Sequence, residues 1–359
     1  MFIYLPLIIV GILLLITGIL ILLDYIFGGS SEKTITLNND TKMVVTGDEN
    51  VLATLAANKI FIPSACGGKA TCGLCKFRLL DDVPKVKPTE EPFLSKEEIE
   101  DGVRLSCQVK VKDKMNIILP ESLLTAKEFK TVVTEIEELT YDIKRVRFEL
   151  KEPKTVDFKP GQFMQIKVPG IDVIRAYSLA SDPSHATYVE MLIRLVPKGQ
   201  ATTYVHKALR VGDKAILTGP YGDFFLQEDS DKPIVCIAGG SGKAPIRSIL
   251  FRLKEMGMSR KVQYFFGAKS LKDLYYTEEF EALQKEYPNF EYIPALSQPD
   301  ANDNWNGEKG LITEVLDRLT GDLTEYEAYL CGSPGMIKAC INVLNKHQIQ
   351  SENVYFDEF

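Results

Sequence analysis

Four cysteines, Cys66, Cys72, Cys75 and Cys107, have the type and spacing that most sharply limit this chain's chemistry. The first three read C-x5-C-x2-C, and the fourth follows after a long gap. Gly67, Gly68 and Gly73 lie within or beside the loop and permit the tight curl that brings thiolates together. A curl of that kind also frees backbone N–H groups to point at sulfur, which favours the reduced, more negative state of a cluster. Structural zinc sites usually carry two C-x2-C pairs, and only one is present. A disulfide pair is disfavoured in a reducing compartment. The reading is therefore a [2Fe–2S] cluster held by all four thiolates, in a loop one residue longer than the plant-type spacing. Cys236 and Cys340 are expected to be buried packing residues.

A second constellation suits a flavin. Arg175-Ala176-Tyr177-Ser178 offers a cation for a pyrophosphate, an aromatic face for the ring and a small hydroxyl donor for the ring edge. In an extended segment Arg175 and Tyr177 share one face and Ser178 takes the other, so a local bend is expected. Gly199, Gln200, Thr202 and Thr203 precede a helical stretch expected over Tyr204–Leu209 and could cradle phosphate with hydroxyl and N–H groups. Each motif alone is weak. A surface strand and an ordinary helix cap are the competing readings of each by itself; together, in a β-rich unit between a cluster loop and a nucleotide fold, the two motifs favour a flavin.

A third constellation suits a nicotinamide dinucleotide. Gly239-Gly240-Ser241-Gly242-Lys243-Ala244-Pro245 joins an apolar strand, Ile234–Ala238, to a helix expected to begin near Ile246. Gly240 and Gly242 would let the backbone approach a pyrophosphate at a helix N-terminus, and Pro245 suits a first helical turn. The segment is not a full G-x-G-x-x-G, and a plain glycine-rich turn is the competing reading. Cys331-Gly332-Ser333-Pro334 follows another expected strand, which would set Cys331, Gly332 and Pro334 at the carboxyl edge of the same sheet. The Cys331 thiol could contact the nicotinamide without being a nucleophile. The terminal Phe359 could stack on a flavin face, or it could be a frayed end.

These residues need elements to hold them. The run Phe2–Leu23 carries no charge and is long enough as a helix to cross a bilayer, so residues 1–27 are expected to be a single membrane anchor. A signal peptide would need a basic start and a small-residue cleavage site, and neither is evident. Gly28-Gly29-Ser30-Ser31 reads as a flexible tether. Residues 33–122 form a first domain: a hairpin about Asn38-Asn39-Asp40, a short helix over 50–60, and strands over 76–80 and 107–119. Residues 125–228 carry short β-like runs at 130–138, 143–150, 162–168, 187–196 and 214–218, expected as an antiparallel β-barrel. Residues 231–359 alternate strands (Ile234–Ala238, Val262–Gly267, Phe290–Leu296, Glu327–Leu330, Asn353–Phe356) with helices. They are expected to form an α/β, Rossmann-like nucleotide domain.

The composition is ordinary for globular domains, with 45% hydrophobic and 25% charged residues. A net charge of -7 without basic runs argues against nucleic acid as a partner. His185, His206 and His347 are scattered singletons expected to be structural or exposed.

The order of cluster loop, R-x-Y-S, G-G-x-G-x-x-P and C-G-x-P resembles the ferredoxin reductase-like superfamily with a fused ferredoxin. With the N-terminal anchor, the whole chain is similar to the F-subunit family of the sodium-translocating NADH:quinone oxidoreductases. Gly219-Pro220-Tyr221-Gly222, Ala295-Leu296-Ser297-Gln298-Pro299, Asp303-Asn304-Trp305 and Asp357-Glu358-Phe359 support this. The loop Val196-Pro197-Lys198 is shorter than the family's. The resemblance implies a β-grasp (α+β) ferredoxin domain, FAD, one [2Fe–2S] cluster and NADH. It further implies that Cys66, Cys72, Cys75 and Cys107 are ligands, that Arg175, Tyr177 and Ser178 hold flavin, and that Phe359 shields the ring. Ser178, Cys331 and Phe359 are then the residues expected nearest the hydride transfer. The expected activity is NADH oxidation with single electrons passed to other membrane subunits, the soluble domains facing the cytoplasm from the inner (cell) membrane. Two alternatives stand beside it: a reductase component for an oxygenase or other soluble acceptor, and a non-enzymatic iron–sulfur carrier or scaffold.

Overall fold

The computed structural model describes residues 9–19, 32–171, 173–300 and 302–359. The chain divides into two compact units, residues 1–58 with 68–120 and residues 59–67 with 121–359. Within the expected anchor, residues 9–19 form a helix, α1, whose Ile, Val and Leu side chains are exposed. Among the described residues no helix is long and apolar enough to cross a membrane. The rest of the expected anchor and the Gly28–Ser31 tether lie outside the described residues.

The first unit is built on a five-stranded mixed sheet, β2-β1-β5-β3-β4. β1 (Lys33–Leu37) and β2 (Thr41–Val45) form the hairpin, turning through Asn38 and Asn39 at φ of 51° and 66°. Asparagine tolerates that left-handed region better than most residues. β1 alternates buried and half-buried side chains and pairs in parallel with β5 (Lys114–Ile118). α2 (Val51–Ala57) is capped by the Asn50 side chain and buries Val51 and Leu55. β3 (Lys76–Leu79) lies between β5 and β4 (Val103–Leu105), and α3 (Lys96–Glu100) carries a Ser95–Glu98 capping box.

The strand expected over 107–119 forms only as β5. Residues 107–113 instead run back along the start of α2, where Val51 N–H donates to the Val109 carbonyl and Val111 N–H to the Glu49 carbonyl, both in place of a regular ladder.

In the second unit, after the short α4 (Glu121–Leu124), six strands form an antiparallel sheet ordered β10-β7-β6-β11-β8-β9. They are β6 (Lys127–Glu138), β7 (Ile143–Glu152), β8 (Phe163–Lys167), β9 (Ile174–Ser178), β10 (Tyr188–Arg194) and β11 (Lys214–Tyr221). A bridge from Leu179 to Met191 joins the two edges and closes the barrel. Its core includes Phe129, Val133, Val146, Phe148, Met164 and Leu217. α5 (Gln200–Lys207) covers one side through Ala201 and Val205.

The last part is a six-stranded parallel sheet, β15-β14-β13-β12-β16-β17. It contains β12 (Ile234–Gly239), β13 (Val262–Ala268), β14 (Phe290–Leu296), the two-residue β15 (Glu308–Lys309), β16 (Glu327–Gly332) and β17 (Val354–Glu358). Alternation along β12 separates two cores. Ile234, Cys236 and Ala238 face Ile246, Ile249 and Leu250 of α6 (Lys243–Glu255) and Phe280 of α7 (Thr277–Glu286). Val235 and Ile237 face Val315 and Leu316 of α8 (Ile312–Leu319) and Ile337, Cys340 and Leu344 of α9 (Pro334–Lys346). Strand order reverses between β12 and β16, which creates a crevice at their carboxyl ends.

Candidate functional site

The cysteine loop uses left-handed backbone at four of eight positions: Gly67, Gly68, Ala70 and Gly73 have φ of 65°, 83°, 55° and 68°. A Cβ on Gly73 would lie 2.6 Å from the Phe93 ring, so glycine is required there by space as well as by dihedral. Cys66, Cys75 and Cys107 are buried and Cys72 is half-buried. Cys75 and Cys107 share a hydrogen bond. It raises the Cys75 thiol and, with Gln108 and the Ala70 backbone, brings Cys107 down to about 6. Gln108 Nε2 donates to Cys107 Sγ at 3.5 Å.

Sequence reasoning missed Glu90. Its buried carboxylate accepts from the Leu105 and Lys87 N–H groups at 2.9 and 3.0 Å and anchors the strand that leads to Cys107. Nothing in the spacing marks it, because its role depends on a fold partner fifteen residues away.

Among the described residues no group of three or more His, Cys, Asp or Glu side chains is arranged around a single ion. A two-iron cluster spreads four sulfurs over a wider frame than one ion does. The Cys75–Cys107 pair, with Gln108 and the Ala70 backbone favouring the Cys107 thiolate, fits ligands of such a group.

In the second unit β9 pairs regularly with β8, Tyr177 opposite Met164 and Ser178 opposite Phe163. The bend expected within Arg175–Ser178 is therefore absent. The chain turns one residue later, at Leu179, where it leaves β8 to close on β10. Tyr177 packs against the barrel core, and burial pushes its phenol up to about 12. Arg175 is exposed, and its guanidinium donates to the carbonyls of Ala65 and Ile174 at 3.1 and 2.7 Å. With its amide oriented to accept, buried Gln165 on β8 takes the N–H groups of Ser64 and Ala65.

α5 starts at Gln200 after Gly199, four residues earlier than expected. Thr202 is buried, and its hydroxyl bonds back to Val196 and Gly199, so it closes the 196–199 loop from inside the first turn. Gln200 and Thr203 remain exposed and half-buried at that helix start.

At the crevice, Gly240–Gly242 form a tight 3-10 turn and α6 starts at Lys243, three residues earlier than expected, with Pro245 in its first turn. A Cβ on Gly242 would lie 2.1 Å from the Cys331 carbonyl oxygen. Glycine is what allows these two strand ends to meet. Cys331 is fully buried. Burial, followed by the nearby Asp357 charge, holds its thiol far above the usual range, so it stays neutral. Gly332 leads into α9, which has Pro334 in its first turn.

The C-terminus is not frayed: β17 pairs in parallel with β16, and Phe359 N–H donates to the Gly332 carbonyl at 3.2 Å. Phe359 is 57% exposed. Ser178 Oγ donates to Asp357 Oδ2 at 3.4 Å, and burial raises that carboxyl to about 6. Sequence reasoning named Ser178 and Cys331 but missed Asp357, which reaches them only through the β16–β17 pairing. As expected, Cys236 and Cys340 are buried in the two cores. His206 and His347 bond to backbone carbonyls, and His185 is exposed.

Models of three families match the chain: the 2Fe-2S iron-sulfur cluster binding domain over residues 35–112, the oxidoreductase FAD-binding domain over 130–226 and the oxidoreductase NAD-binding domain over 236–341. Fold and site therefore define an iron–sulfur flavoprotein oxidoreductase that uses a [2Fe–2S] cluster, FAD and NADH.

Two solved structures share the fold over 91% of this chain and 98% of their own. One is the Amycolatopsis cytochrome P450 reductase GcoB (26% identity, TM-score 0.76) and the other a ferredoxin reductase in carbazole 1,9a-dioxygenase (25%, 0.70). The F subunit of the Na(+)-translocating NADH-quinone reductase of Mannheimia succiniciproducens is 35% identical, covering 92% of each chain. Its counterpart in Pseudomonas paraeruginosa is 34% identical, covering 92% of this chain and 91% of the relative. The chain belongs to the family of F subunits of Na(+)-translocating NADH-quinone reductases.

Proposed function

We propose that this chain is the electron-input subunit of a membrane redox complex, oxidising NADH and delivering single electrons through its cluster to other membrane subunits. The observation that carries this reading is one convergence in the second unit. Ser178 of the barrel meets Asp357 of the parallel sheet, beside Cys331 and the Gly240–Gly242 turn. A flavin-bearing strand and a dinucleotide-binding sheet edge are joined there by a hydrogen bond.

When bound, FAD supplies the switch between two-electron and one-electron chemistry, and the [2Fe–2S] cluster supplies a one-electron carrier. Cys66, Cys72, Cys75 and Cys107 would hold the irons. Arg175, with Gln200 and Thr203 at the start of α5, would face the flavin's phosphates, while Gly199 and Thr202 shape that loop. Tyr177 would pack on its ring. Gly240 and Gly242 would receive the dinucleotide's pyrophosphate at the start of α6, where Pro245 fixes the first turn. Gly332 and Pro334 shape the opposing wall. Ser178 and Asp357 hold a proton between them beside the transfer site. The expected contact of the Cys331 thiol with the nicotinamide is replaced by a neutral, fully buried thiol that backs the crevice from the core. Phe359, pinned by its backbone, offers a ring that can cover a flavin face. Residues 33–122, 125–228 and 231–359 are the three working domains, and residues 1–27 anchor them as a single pass with the domains facing the cytoplasm. Ion movement belongs to the assembled complex, since one uncharged helix provides no path for an ion.

Anaerobic NADH should bleach the flavin of the purified chain, and the reduced protein should show the paramagnetic signal of the cluster. Cys107→Ser should lose that signal and keep the bleaching. A flavin that stays oxidised in excess NADH refutes the reading. The full chain should partition with membranes and a chain lacking residues 1–31 should not; equal partitioning rules out the anchor. The likeness to a P450 reductase and a dioxygenase reductase favours a second reading, delivery to a soluble oxygenase. Quinone reduction that appears only with co-purified membrane subunits separates the two.

A further inference from the structure

Lys243, the first residue of α6, is fully buried. Its ammonium lies 3.6, 4.5, 5.0 and 5.6 Å from the ring centroids of Phe266, Tyr275, Phe280 and Tyr292. It donates to the Tyr275 carbonyl at 2.5 Å and to the Tyr292 hydroxyl at 3.4 Å. The charged groups bearing on it are Glu279 and Arg247, and burial depresses its basicity strongly.

An unbranched apolar side chain would fill the same aromatic box without the cost of desolvating an amine. What the amine adds is a short bond to one backbone carbonyl, that of Tyr275, and a longer one to the Tyr292 hydroxyl. The hydroxyl of the same Tyr275 donates to the Gly240 carbonyl at 2.7 Å. Gly240 has φ of 57° and opens the turn whose other end, Gly242, is wedged against Cys331. The glycine turn is thus clamped on both sides, by the end of β16 and by a relay running from Lys243 through Tyr275.

We propose that Lys243 is a positioning residue for the nicotinamide dinucleotide. From inside the aromatic box it fixes Tyr275, and Tyr275 fixes the Gly240 carbonyl, so the turn is held in the shape that receives a pyrophosphate. The inference rests on the nicotinamide reading of the site and adds to it a residue that never touches the ligand.

The test uses the full chain with FAD and cluster bound, in Lys243→Met, Tyr275→Phe and the double variant, with NADH as the probe. All three should keep flavin and cluster absorbance. KM for NADH, measured with ferricyanide as acceptor, should rise about tenfold in each single variant, while kcat changes less than twofold. The double variant should be no worse than the more affected single variant, because both substitutions cut one relay. A merely structural role would lower the melting temperature and leave this split in KM against kcat absent. Unchanged KM in Tyr275→Phe, or additive effects in the double variant, overturns the proposal even though the wild type still bleaches with NADH. A wild type that NADH does not bleach sinks the nicotinamide reading and this inference together.

Discussion

Asp357 shows how one residue acquires its chemistry from its surroundings. Its carboxyl is drawn up to about 6 by burial, against the opposing pull of the Ser178 hydroxyl. A carboxyl in an unfolded chain titrates near 3.9, so the folded state holds this proton over a range where the unfolded chain has released it. The group's contribution to stability is therefore complete below about pH 3.9 and is lost as pH rises through about 6. Asp357→Asn removes that dependence. The melting temperature of the wild type relative to Asp357→Asn should fall between pH 4 and pH 7. A difference that stays flat across that range would show that the carboxyl is not held protonated by the fold. Cys331 and Lys243 are similar cases: burial pushes the thiol of the one up and the amine of the other down from their usual ranges.

At the scale of the element, the glycine turn works because β12 and β16 end side by side. Their parallel register pairs Ala238 with Cys331, so the residues that follow must pass within van der Waals reach of each other. Gly242→Ala forces a Cβ against the Cys331 carbonyl, and neither partner is a flexible side-chain end. Overpacking of this kind costs about 1–3 kcal/mol, taken from the turn itself. NADH titration of the flavin bleaching should show weakened binding by tenfold or more with the cluster spectrum unchanged. Unaltered NADH affinity would mean that the turn does not receive the dinucleotide. β17 makes a related point. Its pairing with β16 turns the last residues into an ordered wall of the crevice, and this brings Asp357 to Ser178.

Across the second unit, the barrel and the parallel sheet are held in register by a buried ionic network. Glu190 of β10, 3% exposed, accepts from Arg145 at 2.7 Å, Arg147 at 2.9 Å and Arg247 of α6 at 3.0 Å. Arg247 also donates to the Ala180 carbonyl and to both oxygens of Glu279 at the start of α7. Removing the Glu190 charge leaves the three guanidinium groups with only their half-buried or exposed partners Glu279, Glu135 and Glu137, at a cost of about 1–3 kcal/mol. Glu190→Gln should lower the unfolding free energy from denaturant titration by that amount and slow flavin reduction by NADH, while FAD stays bound. A variant as stable as the wild type would mean that water or Glu279 already satisfies Arg247.

Much of this molecule could be read from the chain itself. Thiol spacing with flanking glycines pointed to a [2Fe–2S] domain, which the family match over residues 35–112 bears out. Strand-like runs marked by turn residues identified the barrel, and alternating strands and helices identified the parallel sheet. Those signals are local: a turn, a period of two and a run of apolar residues are written in neighbouring positions. Helix starts shifted by three or four residues, at Lys243 and Gln200, because a glycine before each allowed the helix to begin ahead of the first apolar repeat. The segment 107–113 was misread as strand because its hydrogen bonds go to α2, a partner far away in sequence. Only tertiary structure brought Asp357 to Ser178, placed Glu190 under three arginines and enclosed Lys243 in four rings. Each of these depends on which distant side chains share a desolvated space, and no spacing along one chain encodes that.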